Sequence, residues 1–116
     1  METFSLVSEV PPMLLCHDVY FTLKDSAPEK ADELVAACKK YLTVQPGIVF
    51  FCCGKLVADL KRDVNDTAWD VSLHIVFESR EAHDAYQEDP THNKFIDECK
   101  VNWAKVRVFD AMVEKV

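Results

Sequence analysis

The chain has 116 residues, and its 13 Lys and Arg against 20 Asp and Glu give a formal net charge of −7. This acidic balance disfavours nucleic acid and anionic membranes as partners, since both are bound by a basic face. The hydrophobic share of 49% and the charged share of 28% are typical of one folded globular domain. With only two glycines, Gly47 and Gly54, the chain cannot build a glycine-rich phosphate-binding loop.

The N-terminal residues lack the features of a secretory signal. Glu2 and Glu9 replace the expected basic start, and Pro11-Pro12 interrupts the segment before an apolar run develops. No stretch approaches the roughly 20 apolar residues that a membrane span requires. The five cysteines are odd in number and form no Cys-x-x-Cys pair, so we interpret them as reduced thiols that fill the core. These observations predict a soluble, cytoplasmic protein.

The first predicted strand covers residues 16–24, where apolar and polar side chains alternate. Such alternation is typical of a strand with one buried face, which here carries His17, Val19, Phe21 and Leu23. A helix follows, with Ser26 as its predicted N-cap and Pro28 in its first turn. Its apolar positions recur at helical spacing as far as Leu42.

The Pro46-Gly47 turn leads into a second strand, residues 48–53, which is apolar on both faces. Residues 57–68 are mostly polar and predict a long, mobile connection. Alternation then returns and predicts a third strand whose buried face carries Trp69, Val71, Leu73, Ile75 and Phe77.

Two short helices and a last strand complete the chain. Ser79 predicts the start of the first helix, Asp89-Pro90 starts the second, and a strand from about Val106 to Met112 ends the domain. The order β-α-β-β-(α-α)-β predicts a ferredoxin-like α+β fold, a four-stranded antiparallel sheet with its helices on one face. We expect residues 16–112 to form this domain and residues 1–15 to form an N-terminal extension.

The face of the sheet away from the helices is also predicted to be apolar, because it carries Tyr20, Val49, Phe51, Cys53 and Val76. One copy alone would expose a large apolar patch. Two sheets that pack face to face across a two-fold axis would bury this patch, so we predict a homodimer. Alternatively, Phe4, Leu6 and Leu14 fold over this face within one chain.

Several short motifs occur in the order and spacing of a known family. They are His17-x-Val19-x-Phe21, Pro46-Gly47, Phe77-Glu78-Ser79, the run from Tyr86 to His92, Phe95, and the segment from Val106 to Asp110. Over about residues 16–110 the chain resembles the stress-responsive dimeric A/B barrel family. The resemblance implies a homodimer whose two sheets close into a barrel.

The resemblance also implies a candidate chemistry. A plant polyketide cyclase of this family closes a ring by an aldol-type reaction without a cofactor, using a histidine as base and a tyrosine as its partner. Tyr86 and His92 stand at these two places here. Asp89 stands where the family usually has a further histidine, which changes the charge around the base.

We take His92 and Tyr86 as the candidate catalytic residues. His92 begins the apolar stripe of the last helix, and a position near a helix N-terminus favours the neutral imidazole that a general base requires. The competing interpretation is a structural histidine, and for Tyr86 a place at the boundary of the core. A ligand pocket between the helices and the sheet would be lined by His17, Phe21, Phe77 and Phe95.

The other two histidines have different expected places. His74 shares a strand face with Ser72 and Val76, which places it near the interface between the two sheets. His83 falls on the polar side of its helix and is expected to be exposed. No two histidines lie three or four residues apart on one helix, so we predict no metal site and no cofactor.

Three functional hypotheses remain open at this point. The first is a stress-linked homodimer that binds a small apolar or aromatic ligand without catalysis. The second is a cofactor-independent cyclase, lyase, isomerase or monooxygenase-like enzyme for a small polyketide-like or aromatic substrate, with His92 as general base. The third is a purely structural assembly module. A cavity beside His92 would favour the second hypothesis.

Overall fold

The computed structural model describes residues 13–116, which form four strands and three helices in the predicted order. The elements are β1 (Met13–Leu23), α1 (Pro28–Tyr41), β2 (Ile48–Lys55), β3 (Val71–Phe77), α2 (Arg80–Glu88), α3 (Pro90–Cys99) and β4 (Trp103–Glu114). A single turn of 3-10 helix, Lys100–Asn102, joins α3 to β4. The first strand begins three residues earlier than predicted, and the last strand is longer at both ends.

Local signals set the starts of α2 and α3 as expected. The Ser79 hydroxyl accepts a hydrogen bond from the Ala82 N–H at 3.0 Å, and the Asp89 carboxylate accepts one from the Thr91 N–H at 2.7 Å. Helix α1 instead begins after Ala27 with no side-chain cap, so the predicted Ser26 cap is wrong. Within residues 13–116, no helix is both long enough and apolar enough to cross a membrane.

The sheet has the strand order β2-β3-β1-β4, and every neighbouring pair is antiparallel. The core lies between this sheet and the helices, on one face only. Strand β1 is central, and its alternate residues from Leu15 to Leu23 are buried against the helices, as the alternation predicted. This is the ferredoxin-like α+β fold that the element order indicates.

The predicted faces of β2 are wrong because the strand carries a bulge. Ile48 and Phe50 pair with the consecutive residues Phe77 and Val76, so one extra residue sits in β2 between them. The bulge reverses the alternation, and Phe51 and Cys53 pack against the core. The face away from the helices, hereafter the open face, therefore carries Phe50 and Cys52 instead.

The open face also departs from prediction at Trp69. This residue precedes β3, and its indole packs against the Tyr20 ring, with the ring centroids 5.0 Å apart, on the open face rather than in the core. Leu14 is part of β1 and pairs with Val113, so it is held in the sheet and cannot fold over it. Phe4 and Leu6, the other residues of that alternative, lie outside the described residues.

A substitution at Gly47 tests whether the tight turn before β2 tolerates a side chain. Gly47 has a φ of +88°, and a Cβ added there would lie 2.6 Å from the Cβ of Ala82. Gly47→Ala should therefore lower the free energy of unfolding by at least about 1 kcal/mol, measured by urea denaturation.

Gly54→Ala is the matched control, since a Cβ at Gly54 meets nothing within 4 Å. This variant should unfold at the same urea concentration as the parent chain or at a slightly higher one. Equal destabilisation by both substitutions would contradict the strained turn.

Candidate functional site

Aromatic side chains between the helices and the sheet form two separate groups. The histidine cluster consists of His17, Phe77, His83, Tyr86 and His92. The tryptophan cluster consists of Phe21, Phe95 and Trp103. The structure thus brings together four residues of the sequence-predicted site, His17, Phe77, Tyr86 and His92. It places the other two, Phe21 and Phe95, in the second group.

Tyr86 is the central ring of the histidine cluster. It is almost fully buried, and its ring centroid lies 6.0 Å from His17, 5.0 Å from Phe77 and 4.7 Å from His92. Burial raises the pKa of the Tyr86 hydroxyl far above its usual value. This hydroxyl therefore stays protonated and can act as a hydrogen-bond donor.

His17 is paired with a carboxylate that the sequence analysis did not select. The register of β1 and β4 sets His17 directly opposite Asp110, and the His17 Nδ1 lies 2.5 Å from the Asp110 Oδ1. Because a carboxylate only accepts, His17 donates from Nδ1. The His17 side chain is 5% exposed and that of Asp110 is 43% exposed, so solvent reaches the pair from the Asp110 side.

The predicted exposure of His83 is wrong. Its side chain is only 13% exposed, and its ring packs 5.0 Å from His17 and 5.6 Å from Phe77, between centroids. His83 and Tyr86 are three residues apart on α2, so both turn toward the sheet. The His83 Nδ1 lies 3.0 Å from the Asp84 Oδ1, and this hydrogen bond lowers the pKa of Asp84.

His92 lies in the first turn of α3 and is partly buried. Burial lowers the pKa of its imidazole below the usual value of 6.5; the nearby His17 ring acts in the same direction, and Asp89 opposes both. The neutral ring was expected from the helix N-terminus, but burial is the main cause. Within the described part of the chain, the buried His92 Nδ1 has no hydrogen-bond partner.

Two cavities lie near these clusters. The tryptophan cavity, of about 420 Å³, has apolar walls formed by Leu23, Leu34, Cys99, Val101 and Trp103. Its rim is polar and consists of Asp25, Lys30, Glu33, Glu98 and Asn102. The histidine cavity, of about 300 Å³, is lined by Leu15, Arg80, His83, Asp110, Ala111 and Met112.

A third cavity, of about 400 Å³, lies on the open face and is lined by Asp18, Tyr20, Asp66, Trp69, Arg107 and Phe109. His74 is beside it, with Nδ1 2.8 Å from the Asp18 Oδ1 and Nε2 3.0 Å from the Ser72 Oγ. His74 is therefore on the face where the sequence analysis expected it.

In the part of the chain that the structure describes, one group of side chains offers metal-ligating atoms. One ligand atom each from His17, His83 and Asp110 lies within 4.8 Å of the other two. The prediction of no metal site rested on spacing within one helix. These three residues come from β1, α2 and β4, so that spacing rule does not apply to them.

Solved structures similar to this chain share its fold. A dimeric ferredoxin-like protein of unknown function from Thermobifida fusca aligns with a TM-score of 0.72 at 16% identity, over 87% of this chain and 92% of its own. A hydroxynitrile lyase from Passiflora edulis aligns with a TM-score of 0.72 at 18% identity, over 91% and 98%. A protein from Arabidopsis thaliana aligns with a TM-score of 0.72 at 25% identity, over 88% and 97%.

Sequence comparison gives the family. No curated protein sequence is significantly similar to this chain. The profile of the family described as the stress responsive A/B barrel domain matches residues 15–113, which is nearly the whole chain. The protein therefore belongs to the stress responsive A/B barrel domain family, Dabb.

Proposed function

We propose that this protein is a homodimer that binds a small, uncharged, largely apolar molecule in the tryptophan cavity. The observation that carries this proposal is the cavity itself, whose apolar walls include Trp103, a residue with a buried indole N–H that has no partner among residues 13–116. All five cysteines are unpaired, which supports a reducing compartment such as the cytoplasm.

The open face supports the dimer. Phe50 and Phe109 are 57% and 53% exposed on it, beside the half-buried Tyr20 and Val76. Apolar side chains grouped in this way mark an interface, and an antiparallel sheet can pack against a second copy of itself. The similar structure from Thermobifida fusca is described as dimeric, which supports the same arrangement.

A single charge on the open face should weaken the dimer. We expect native mass spectrometry to give twice the 13.2 kDa mass for the parent chain. Phe109→Lys should yield mainly monomer, because the ammonium group would be buried without a partner at the interface. Val64→Lys, in the exposed connection before β3, is the control and should remain dimeric. A monomeric parent chain, or a fully dimeric Phe109→Lys variant, would overturn the proposed interface.

The chemistry of the tryptophan cavity indicates what it binds. Its volume lies within the range of small-molecule sites, roughly 300–1,000 Å³. Among residues 13–116, the buried Trp103 Nε1 has no hydrogen-bond partner, and a small turn of the indole toward the cavity would let a ligand carbonyl or hydroxyl oxygen accept from it. The rim carries Asp25, Glu33 and Glu98 against one lysine, and this excess of carboxylates disfavours an anionic ligand.

The ligand proposal can be tested with prodan, a neutral naphthalene ketone whose emission shifts to the blue in an apolar site. The parent chain should shift and strengthen the emission. Trp103→Phe keeps the ring but removes the donor, and it should weaken binding about tenfold. Trp69→Phe is the matched control in the open-face cavity and should bind as the parent chain does. Loss of binding in Trp69→Phe rather than in Trp103→Phe would contradict this site.

A second candidate function is general-base catalysis at His92, and the Tyr86–His92 contact favours it. The neutral His92 ring can accept a proton, and its buried Nδ1 has no partner among residues 13–116; the protonated Tyr86 hydroxyl can donate to a carbonyl oxygen. The similar structure from Passiflora edulis is a hydroxynitrile lyase, which makes cyanohydrin cleavage a suitable assay. In that reaction the base takes the hydroxyl proton, the bond to cyanide breaks, and the proton leaves with the cyanide.

Release of benzaldehyde from mandelonitrile tests this candidate. His92→Gln should lower kcat by about 100-fold or more, while the neighbouring exposed Asn93→Gln should not change it. Because the pKa of His92 lies below 6.5, the rate should hold at neutral pH and fall only at lower pH, as the base becomes protonated. Turnover that survives in a folded His92→Gln variant would exclude His92 as the base.

A further inference from the structure

We propose that His17, His83 and Asp110 form a binding site for one divalent transition-metal ion of the zinc type. The site opens on the histidine cavity, and none of its three residues lines the tryptophan cavity. It is therefore independent of the ligand site proposed above. The proposal rests on the donor set, on its geometry and on an unsatisfied nitrogen within it.

The fold assembles the three residues from distant parts of the chain. Antiparallel pairing of β1 with β4 sets His17 and Asp110 opposite each other on the face toward the helices. The first turn of α2 then places the His83 ring 5.0 Å from the His17 ring. Two imidazoles and one carboxylate thus converge at the end of the helix layer.

The donor set and the separations suit such an ion. Imidazole nitrogens and carboxylate oxygens bind zinc at about 2.0–2.2 Å, so two ligand atoms of one tetrahedral ion lie about 3.3–3.6 Å apart. The three candidate atoms all lie within 4.8 Å of one another. The His17 Nδ1 and the Asp110 Oδ1 are already 2.5 Å apart, so binding of an ion would require small rotations of these side chains, including the His83 ring. The ion would replace the proton that His17 now donates to Asp110.

The unsatisfied nitrogen belongs to His83. Its Nε2 is buried and has no hydrogen-bond partner among residues 13–116. Its other ring nitrogen is held by Asp84 at 3.0 Å. A histidine whose far nitrogen is held by a carboxylate is the usual arrangement of a metal ligand, because the outer carboxylate orients the ring.

The surrounding charge also permits a cation. Arg80 lines the same cavity, but its guanidinium donates to Asp84 at 3.2 Å, which offsets its charge. The Asp110 carboxylate then remains as the local negative group. The cavity of about 300 Å³ gives the ion a path from solvent and room for water at its remaining positions.

Isothermal titration of the full-length protein with Zn²⁺, after treatment with a chelator, tests the site. We expect one ion per chain. His17 is deeply buried and its replacement endangers the fold, so the informative variants are His83→Gln and Asp110→Asn. Each should weaken Zn²⁺ binding at least tenfold, while circular dichroism confirms that the variant is folded. His74→Gln, on the open face, is the matched control and should bind as the parent chain does.

Titration with Co²⁺ separates this site from the five free thiols. Nitrogen and oxygen ligands should give weak visible bands without the strong near-ultraviolet band of a cobalt–thiolate bond, and His83→Gln should abolish them. Three results would each overturn the proposal. They are no ion bound to the parent chain, a thiolate band, and unchanged binding in folded His83→Gln and Asp110→Asn.

Discussion

Within residues 13–116, all three helices lie on one face of a four-stranded sheet, and the other features of the structure depend on this arrangement. The covered face holds a single core in which β1, the central strand, is buried at every second residue. Aromatic side chains at the two ends of that helix layer create the histidine and tryptophan clusters. Within residues 13–116 no helix covers the opposite face, which carries Phe50 and Phe109 and is the surface through which we propose that the dimer forms.

Most of the fold could be predicted because its signals are local. A strand with one buried face alternates with period two, and the helix starts at Ser79 and Asp89 need only a few neighbouring residues. Strand β2 could not be predicted in the same way. It is apolar on both sides, so its sequence does not show which side chains face the helices. Only its pairing with β3 reveals the extra residue between Ile48 and Phe50.

In the candidate site, too, contacts between residues close in sequence could be predicted, and contacts between distant strands could not. Tyr86 and His92 are six residues apart on consecutive helices, so the sequence alone brings them near each other. The His17–Asp110 pair joins residues 93 positions apart and depends on the exact register of two strands. The orientation of His83 was missed because α2 has only nine residues, too few for a hydrophobic stripe to establish which side faces the sheet.

The strand order also has a consequence for how the chain folds during synthesis. The central strand β1 is the first to leave the ribosome, whereas one of its two partners, β4, is the last. Until β4 emerges, β1 has an unpaired edge along a run of apolar residues, which is a surface prone to misassociation. Contacts between such distant segments also slow folding. The nascent chain therefore completes its sheet only after β4, the last of the four strands, has emerged.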